Sequence, residues 1–355
     1  MQTVSQIISS AGADAVVTTA PCRADLAGGT LDIWPLYLFH PGAVSVNIAL
    51  NILTACRITP RAGQGITLKS HDTAREDHFS KLDALMAARS YQHPLAAYLA
   101  RFFQPKSGFL LETFSESPAG AGISGSSAMM IAMSAALARF TGCKIDIEQI
   151  RVIAQNVEAQ VIRVPTGCQD YYPAMYGGVS AVHLETGGIR RDPIPVPLDE
   201  VDQRFVLIYT GAPRQSGINN WEVFKQHING DNRVIRNFAE ISRIAQAMQQ
   251  ALACQQWDDV ERLIREEWKL RRTNAPGITT PLIDKLITVA RRHGARAAKV
   301  CGAGGGGCVI FLIEKGARQS VEEATRKHGA QPLSFHVARR GLKFHPVSQR
   351  HRAKA

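Results

Sequence analysis

No C-x-x-C pair occurs among the seven cysteines, which stand singly at positions 22, 56, 143, 168, 254, 301 and 308. Scattered and odd in number, they argue against a disulfide framework or a zinc site and for reduced thiols in a cytoplasmic setting. A charged-then-apolar leader ending in a cleavage site is also missing. The longest near-apolar run, 128–140, is far short of the ~20 residues that span a bilayer, so a soluble cytoplasmic protein with no membrane partner is expected. No repeat of fixed period is present. Interleaved basic and aromatic residues are absent too, so nucleic acid is not an expected partner even though 41 Lys and Arg face 30 Asp and Glu. Much of that excess sits near the end, where Arg339, Arg340, Lys343, Arg350, His351, Arg352 and Lys354 read as a solvated, mobile basic tail.

The 355 residues, 45% hydrophobic and 20% charged, suffice for two domains and carry no compositional sign of wholesale disorder. Residues 15–19 read as a strand entering a loop at 20–29, and 43–60 carries β-branched runs that suit strands. Apolar spacing predicts helices over 128–140 and 147–162, the second capped by Asp146. Strands follow at 177–184 and 205–209, and then a turn-rich stretch, 210–217, that marks a boundary near 200–215. Helical patterns at 231–254, 257–272 and 280–293 precede a strand, glycine turn and strand over 297–313. Strands and helices come in clusters without regular alternation, which points to an α+β fold and not to a doubly wound sheet.

The densest signal is Pro118-Ala-Gly-Ala-Gly-Ile-Ser-Gly-Ser-Ser-Ala128, a glycine and serine loop running straight into an apolar helix. Glycines admit a ligand close to the backbone, and the first helical turn offers unpaired N–H groups and the positive end of the dipole. Phosphate suits such a cradle. It differs from a P-loop, because serines stand where that motif requires lysine.

Two further motifs keep order with this one: Ala20-Pro-Cys-Arg23 followed by Gly28-Gly29 and Asp32 upstream, and Gly302-Ala-Gly-Gly-Gly-Gly307 downstream. Together they resemble the GHMP small-molecule kinases, and within them the sugar 1-kinases, heptose 7-phosphate 1-kinases and fucokinases above all. Thr30 and Leu31 replace the Gly and Thr usual in that branch. The resemblance implies a two-domain GHMP kinase fold: a ribosomal protein S5-like domain over 1–205, a ferredoxin-like domain over 206–345, and a basic tail at 346–355. It implies ATP and Mg2+, a sugar or sugar phosphate as the small-molecule partner, and a homodimer as the candidate assembly.

Site residues follow from the same resemblance. Pro118, Gly120, Gly122, Ser124, Gly125, Ser126 and Ser127 would wrap the nucleotide phosphates. Counting from Pro118 places the metal-binding hydroxyl on Ser126, with Ser127 one residue on as the alternative. Glu158 is the expected carboxylate ligand of the metal, Asp170 the catalytic base, and Arg23 the cation beside base and γ-phosphate. Asp32 would bind sugar hydroxyls, with Gly29, Thr30, Gly304 and Gly305 also assigned to the substrate. Lys299 either approaches a phosphate or is an ordinary solvated strand lysine.

Overall fold

Small and β-branched residues dominate two long stretches near the start, and both fold as long strands in the computed structural model, which describes residues 4–213 and 218–346. These are β1 (Val16–Ala27) and β2 (Val44–Pro60). With β3 (Ile66–Ser70), β4 (Arg75–Phe79), β5 (Phe109–Ser115), β6 (Val179–Glu185) and β7 (Gly188–Pro193) they build the first sheet. Its path is β12-β1-β2-β5-β3-β4, where β12 is Lys343–His345, with β6 joining β2 to β7, and only β3 and β5 run parallel. That parallel pair requires a crossover, which contains helices Leu82–Ala87 and Pro94–Phe103.

Helix Gly125–Thr141 packs against β1 and β2, and every side chain from Ser127 to Ala138 is buried. A helix apolar on all sides belongs inside a domain, not on its surface. It begins three residues earlier than periodicity predicts, because Ser124 takes the N-cap position with φ of 61° and draws Gly125, Ser126 and Ser127 into the first turn. Helix Ile147–Ile162 has the predicted bounds. Asp146 caps it by accepting from Gln149 N, and the Gln149 side chain answers to the Asp146 N–H, a complete capping box.

The second sheet holds β8 (Phe205–Tyr209), β9 (Ala295–Val300), β10 (Cys308–Ile313) and β11 (Gln331–Leu333) in the antiparallel order β11-β8-β10-β9. Fourth, first, third, second with helices between is the ferredoxin-like arrangement. Helices Asn232–Ala253, Trp257–Arg271 and Pro281–Arg291 lie between β8 and β9, and Thr280 caps the last by accepting from Ile283 N. Helix Ile218–Ile228, which periodicity did not suggest, follows a turn whose residues 214–217 lie outside the described ones. Among the described residues no helix is long and apolar enough to cross a membrane.

Three expectations need correction. Residues 20–27 are not a loop but the second half of β1; register shifts at Pro21/Cys22 and Asp25/Ala27 let the strand absorb a proline and continue. The chain from 206 to 345 does not stay with the second sheet. Val337 bridges Leu50, and β12 (Lys343–His345) pairs with β1 over Val17–Thr19, covering the start of that edge with a short strand. The basic residues of this segment have a defined place in the fold although their side chains are exposed: Arg339 reaches Asp199 at 3.2 Å and Lys343 sits in β12. Arg350, His351, Arg352 and Lys354 lie outside the described residues.

Removing residues 336–355 is therefore expected to lower the thermal unfolding midpoint by roughly 5 °C or more, the effect of losing about 2 kcal/mol from a domain of this size. An unchanged midpoint in a calorimetric scan would show that the returning segment contributes nothing to the first sheet.

Candidate active site

Strand alternation puts Arg23 and Asp25 on one face of β1, where both are buried. The Arg23 backbone N–H donates to Ile123 O at 2.9 Å, which ties the 118–124 loop to this strand. From the other side Cys308 N donates to Ala121 O at 2.7 Å. A Cβ on Gly307 would stand 2.6 Å from that same carbonyl, so the second sheet's glycine turn must lie bare against the loop.

Pro118, Gly120, Gly122, Ser124, Gly125, Ser126 and Ser127 all line one cleft of about 430 Å³. Gly120 and Gly122 have φ of 69° and 76°, so the two turns here need glycine. At its helical end the loop meets the N-terminus of Gly125–Thr141, whose first-turn N–H groups lack intrahelical acceptors. Ser124 Oγ is buried without a hydrogen-bond partner, a polar atom awaiting one from a ligand. The loop can take an anion.

Glu158 reaches this end of the cleft from helix Ile147–Ile162. Ser126 Oγ donates to its Oε1 at 2.5 Å, Ser127 Oγ to its Oε2 at 3.0 Å, and the Tyr171 hydroxyl also donates to Oε2. Both candidate serines thus touch the carboxylate. Burial raises the Glu158 pKa above its ordinary value against the lowering effect of the Ser126 and Tyr171 hydroxyls. The donors are all oxygen, which suits a hard divalent cation.

Across the cleft, Arg23 donates from Nε and Nη2 to Asp170 Oδ1 at 2.8 and 2.6 Å, while Nη1 holds Gly122 O at 3.0 Å. One guanidinium therefore joins the carboxylate to the 118–124 loop. Asp32 lies buried beside them and accepts from Gln169 N at 2.9 Å and Gln169 Nε2 at 3.3 Å. Burial, then the Asp170 charge, pushes the Asp32 carboxyl up to about 7. Gly167 makes this contact possible, since a Cβ there would stand 1.9 Å from Asp32 Oδ2. The cleft thus gathers helix N-terminal N–H groups, an arginine-clamped carboxylate and a second, buried carboxylate, a set chemically able to hold an anion beside a proton acceptor.

Family models agree with that geometry. The GHMP kinases N terminal domain matches residues 89–178 and the GHMP kinases C terminal domain matches residues 237–331. The chain belongs to the GHMP kinases. It is 23% identical to the D-glycero-alpha-D-manno-heptose 7-phosphate kinase of Campylobacter jejuni over 333 residues, covering 92% of this chain and 97% of that one. Among solved structures, Lactococcus lactis galactokinase complexed with galactose superposes with a TM-score of 0.77 at 17% identity, covering 95% of this chain and 97% of that one. A D-glycero-D-manno-heptose 1-phosphate kinase from Bacteriodes thetaiotaomicron gives 0.75 at 20% identity, covering 93% and 98%.

In this GHMP kinase Gly29 and Thr30 also line the cleft. Arg271 Nη2 donates to Gly29 O at 3.0 Å, and Thr30 Oγ1 donates to Asn220 Oδ1 at 3.1 Å. Gly304 and Gly305 do not join them. Gly305 N donates to Ile278 O at 2.9 Å, and a Cβ on Gly304 would stand 2.4 Å from the same oxygen, so both glycines serve close backbone packing outside the cleft lining. Lys299 meets neither expectation: it is fully buried, with Nζ 2.5 Å from Asp25 Oδ2. Sequence reasoning missed Asp25, Gln169, Tyr171, Asn220, Glu267 and Arg271. The i, i+2 spacing of Arg23 and Asp25 on a strand, and the i, i+4 spacing of Glu267 and Arg271 on a helix, were the signals available.

Folding raises the Asp32 pKa, so the native protein keeps a proton there that the unfolded chain sheds from about pH 4 upward. Stability from this group is thus full at low pH and lost as pH rises toward and through about 7. Asp32→Asn, which mimics the protonated form, should gain on wild type by on the order of 2–4 kcal/mol between pH 4 and 8 in denaturant titrations. A gap between the two proteins that does not change with pH would contradict a buried, proton-holding Asp32.

Proposed function

We propose that this GHMP kinase transfers the γ-phosphoryl group of ATP to the anomeric hydroxyl of a sugar. D-glycero-D-manno-heptose 7-phosphate, giving the 1,7-bisphosphate, is the first candidate; fucose, galactose or another free hexose are the alternatives. The observation that carries the reading is the Arg23 fork on Asp170, set between the 118–127 loop and Asp32. The heptose 7-phosphate kinase likeness over nearly the whole chain supports the choice of first substrate.

In this reading the loop N–H groups and the first turn of helix Gly125–Thr141 hold the nucleotide phosphates. Ser126 and Glu158, with Ser127 alongside, are the oxygen donors that would hold Mg2+. When bound, that ion offsets phosphate charge. Asp32 orients the acceptor by hydrogen bonds to neighbouring hydroxyls, and with its carboxyl near about 7 it can donate as well as accept. Asp170 accepts the anomeric hydroxyl proton as that oxygen bonds to the γ-phosphorus. The bond from γ-phosphorus to the bridging oxygen breaks, and its electron pair leaves with ADP. Arg23 keeps Asp170 in place and faces the charge that builds on the transferring group.

A non-catalytic nucleotide or sugar sensor is the second reading, and the clamp on Asp170 is the observation against it. A binder alone has no use for a base held by a guanidinium. ADP release should depend on both Mg2+ and a sugar when free and phosphorylated hexoses and heptoses are screened. Asp170→Asn should lower kcat on the best substrate by about 10²–10⁴-fold while remaining folded. No sugar-dependent ADP release from wild type, or a near wild-type rate from the variant, would overturn the proposal.

A further inference from the structure

A row of buried charges leaves the cleft and crosses from one sheet to the other. Asp170 holds Arg23, and Arg23 Nη1 stands 3.8 Å from Asp25 Oδ1. Asp25 in turn receives Lys299 Nζ on Oδ2 at 2.5 Å and the Gly302 N–H on Oδ1 at 2.9 Å. Lys299 lies 4.0 Å from Glu267 Oε2, and Glu267 Oε1 accepts from Arg271 Nε at 2.7 Å. Arg271 then holds the carbonyl of Gly29 in the substrate loop. Three carboxylates alternate with three cations along the row, and the side chains of Asp25, Lys299 and Glu267 are fully buried.

From these contacts we infer that Lys299 is a positioning residue for phosphoryl transfer: by neutralising Asp25 it leaves Arg23 committed to Asp170. Lys299 belongs to β9 of the second sheet, whereas Arg23 and Asp25 belong to β1 of the first. Burial alone would push the Asp25 carboxyl up, but Lys299, Arg23, Arg271 and the Gly302 N–H outweigh it and hold the group well below the usual carboxylate range. Asp25 is therefore a charge at working pH, and one that water cannot reach. Without Lys299 its Oδ2 has no donor, and the Arg23 guanidinium, already at 3.8 Å, is the neighbouring cation on the same strand. The fork would turn from Asp170 toward Asp25, and the carboxylate proposed to accept the hydroxyl proton would lose its clamp. The seating of the second sheet on β1 thereby sets the state of a residue in the cleft.

The inference rests on the reading of Asp170 and Arg23 given above, and its test separates the two. On the sugar that wild type phosphorylates best, Lys299→Met should lower kcat at least ~10-fold with the KM for ATP within ~3-fold of wild type. Adding Asp25→Asn should return kcat to within ~3-fold of wild type, because the double variant buries no unpaired charge. A merely structural pair would behave otherwise: Lys299→Met would lower the melting temperature yet keep its kcat below that temperature, which overturns the inference. So does a double variant no faster than Lys299→Met. If Lys299→Met does not fold, the double variant carries the test alone, and a folded but inactive double variant counts against it. A wild type inactive on every sugar refutes the kinase reading instead. In that case crystal structures decide, with Arg23 moved from Asp170 to Asp25 in Lys299→Met expected, and Arg23 unmoved overturning the inference.

Discussion

The ion pair between Asp25 and Lys299 is the constraint on which the other contacts rest. Two fully buried charges, one from each sheet, meet at 2.5 Å. Desolvating them costs several kcal/mol per ion, and the mutual attraction repays this only when geometry and supporting hydrogen bonds are good. Here Gly302 N and the Asp25 carbonyl provide that support. Such a pair adds little net stability over an apolar replacement. Breaking it is another matter, because removal of one partner leaves a buried charge and typically costs about 3–5 kcal/mol. Its effect is on charge where the two sheets meet, since either group left alone there would be buried and unpaired.

The 118–124 loop is fastened to both sheets as well. Ile123 is fastened to β1 through Arg23 N, and Ala121 to the second sheet through Cys308 N. The loop is thus stretched between both sheets and presents its glycines and the start of helix Gly125–Thr141 to the cleft. Because the helix is buried on all sides, its N-terminus cannot shift without disturbing the core. Rigidity of this kind is what electrostatic catalysis requires, since donors already in place need no reorganisation as charge develops.

Much of this was legible in the sequence where information is local. Asp146 announced the start of a helix as its cap, and β8 and β10 were bounded by turn residues. The 118–128 loop read as an anion cradle from its own residues, whereas Arg23, Asp32, Glu158 and Asp170 were joined to it through the resemblance to the GHMP kinases, and all four line the cleft. The row from Asp25 to Arg271 could not be read in either way, because its pairing spans 274 residues between Lys299 and Asp25. Each member alone reads as an ordinary charge. β12 was missed for a related reason: a three-residue strand carries no periodicity of its own and exists because β1 offers it an edge. Gly304 and Gly305 misled in the opposite sense, since a glycine run signals close approach without saying whether ligand or backbone approaches. In this fold it is the Ile278 carbonyl.

In the proposed function the cleft between the sheets receives a nucleotide on the 118–127 loop, with its terminal phosphate directed toward Arg23 and Asp170. A crystal structure with a non-hydrolysable ATP analogue and Mg2+ tests it most directly. The β- and γ-phosphates are expected on the N–H groups at the start of helix Gly125–Thr141, the metal on Ser126 or Ser127 and Glu158, and the γ-phosphate within reach of the Arg23 guanidinium. Nucleotide bound elsewhere, or a triphosphate pointing away from Arg23, would contradict it.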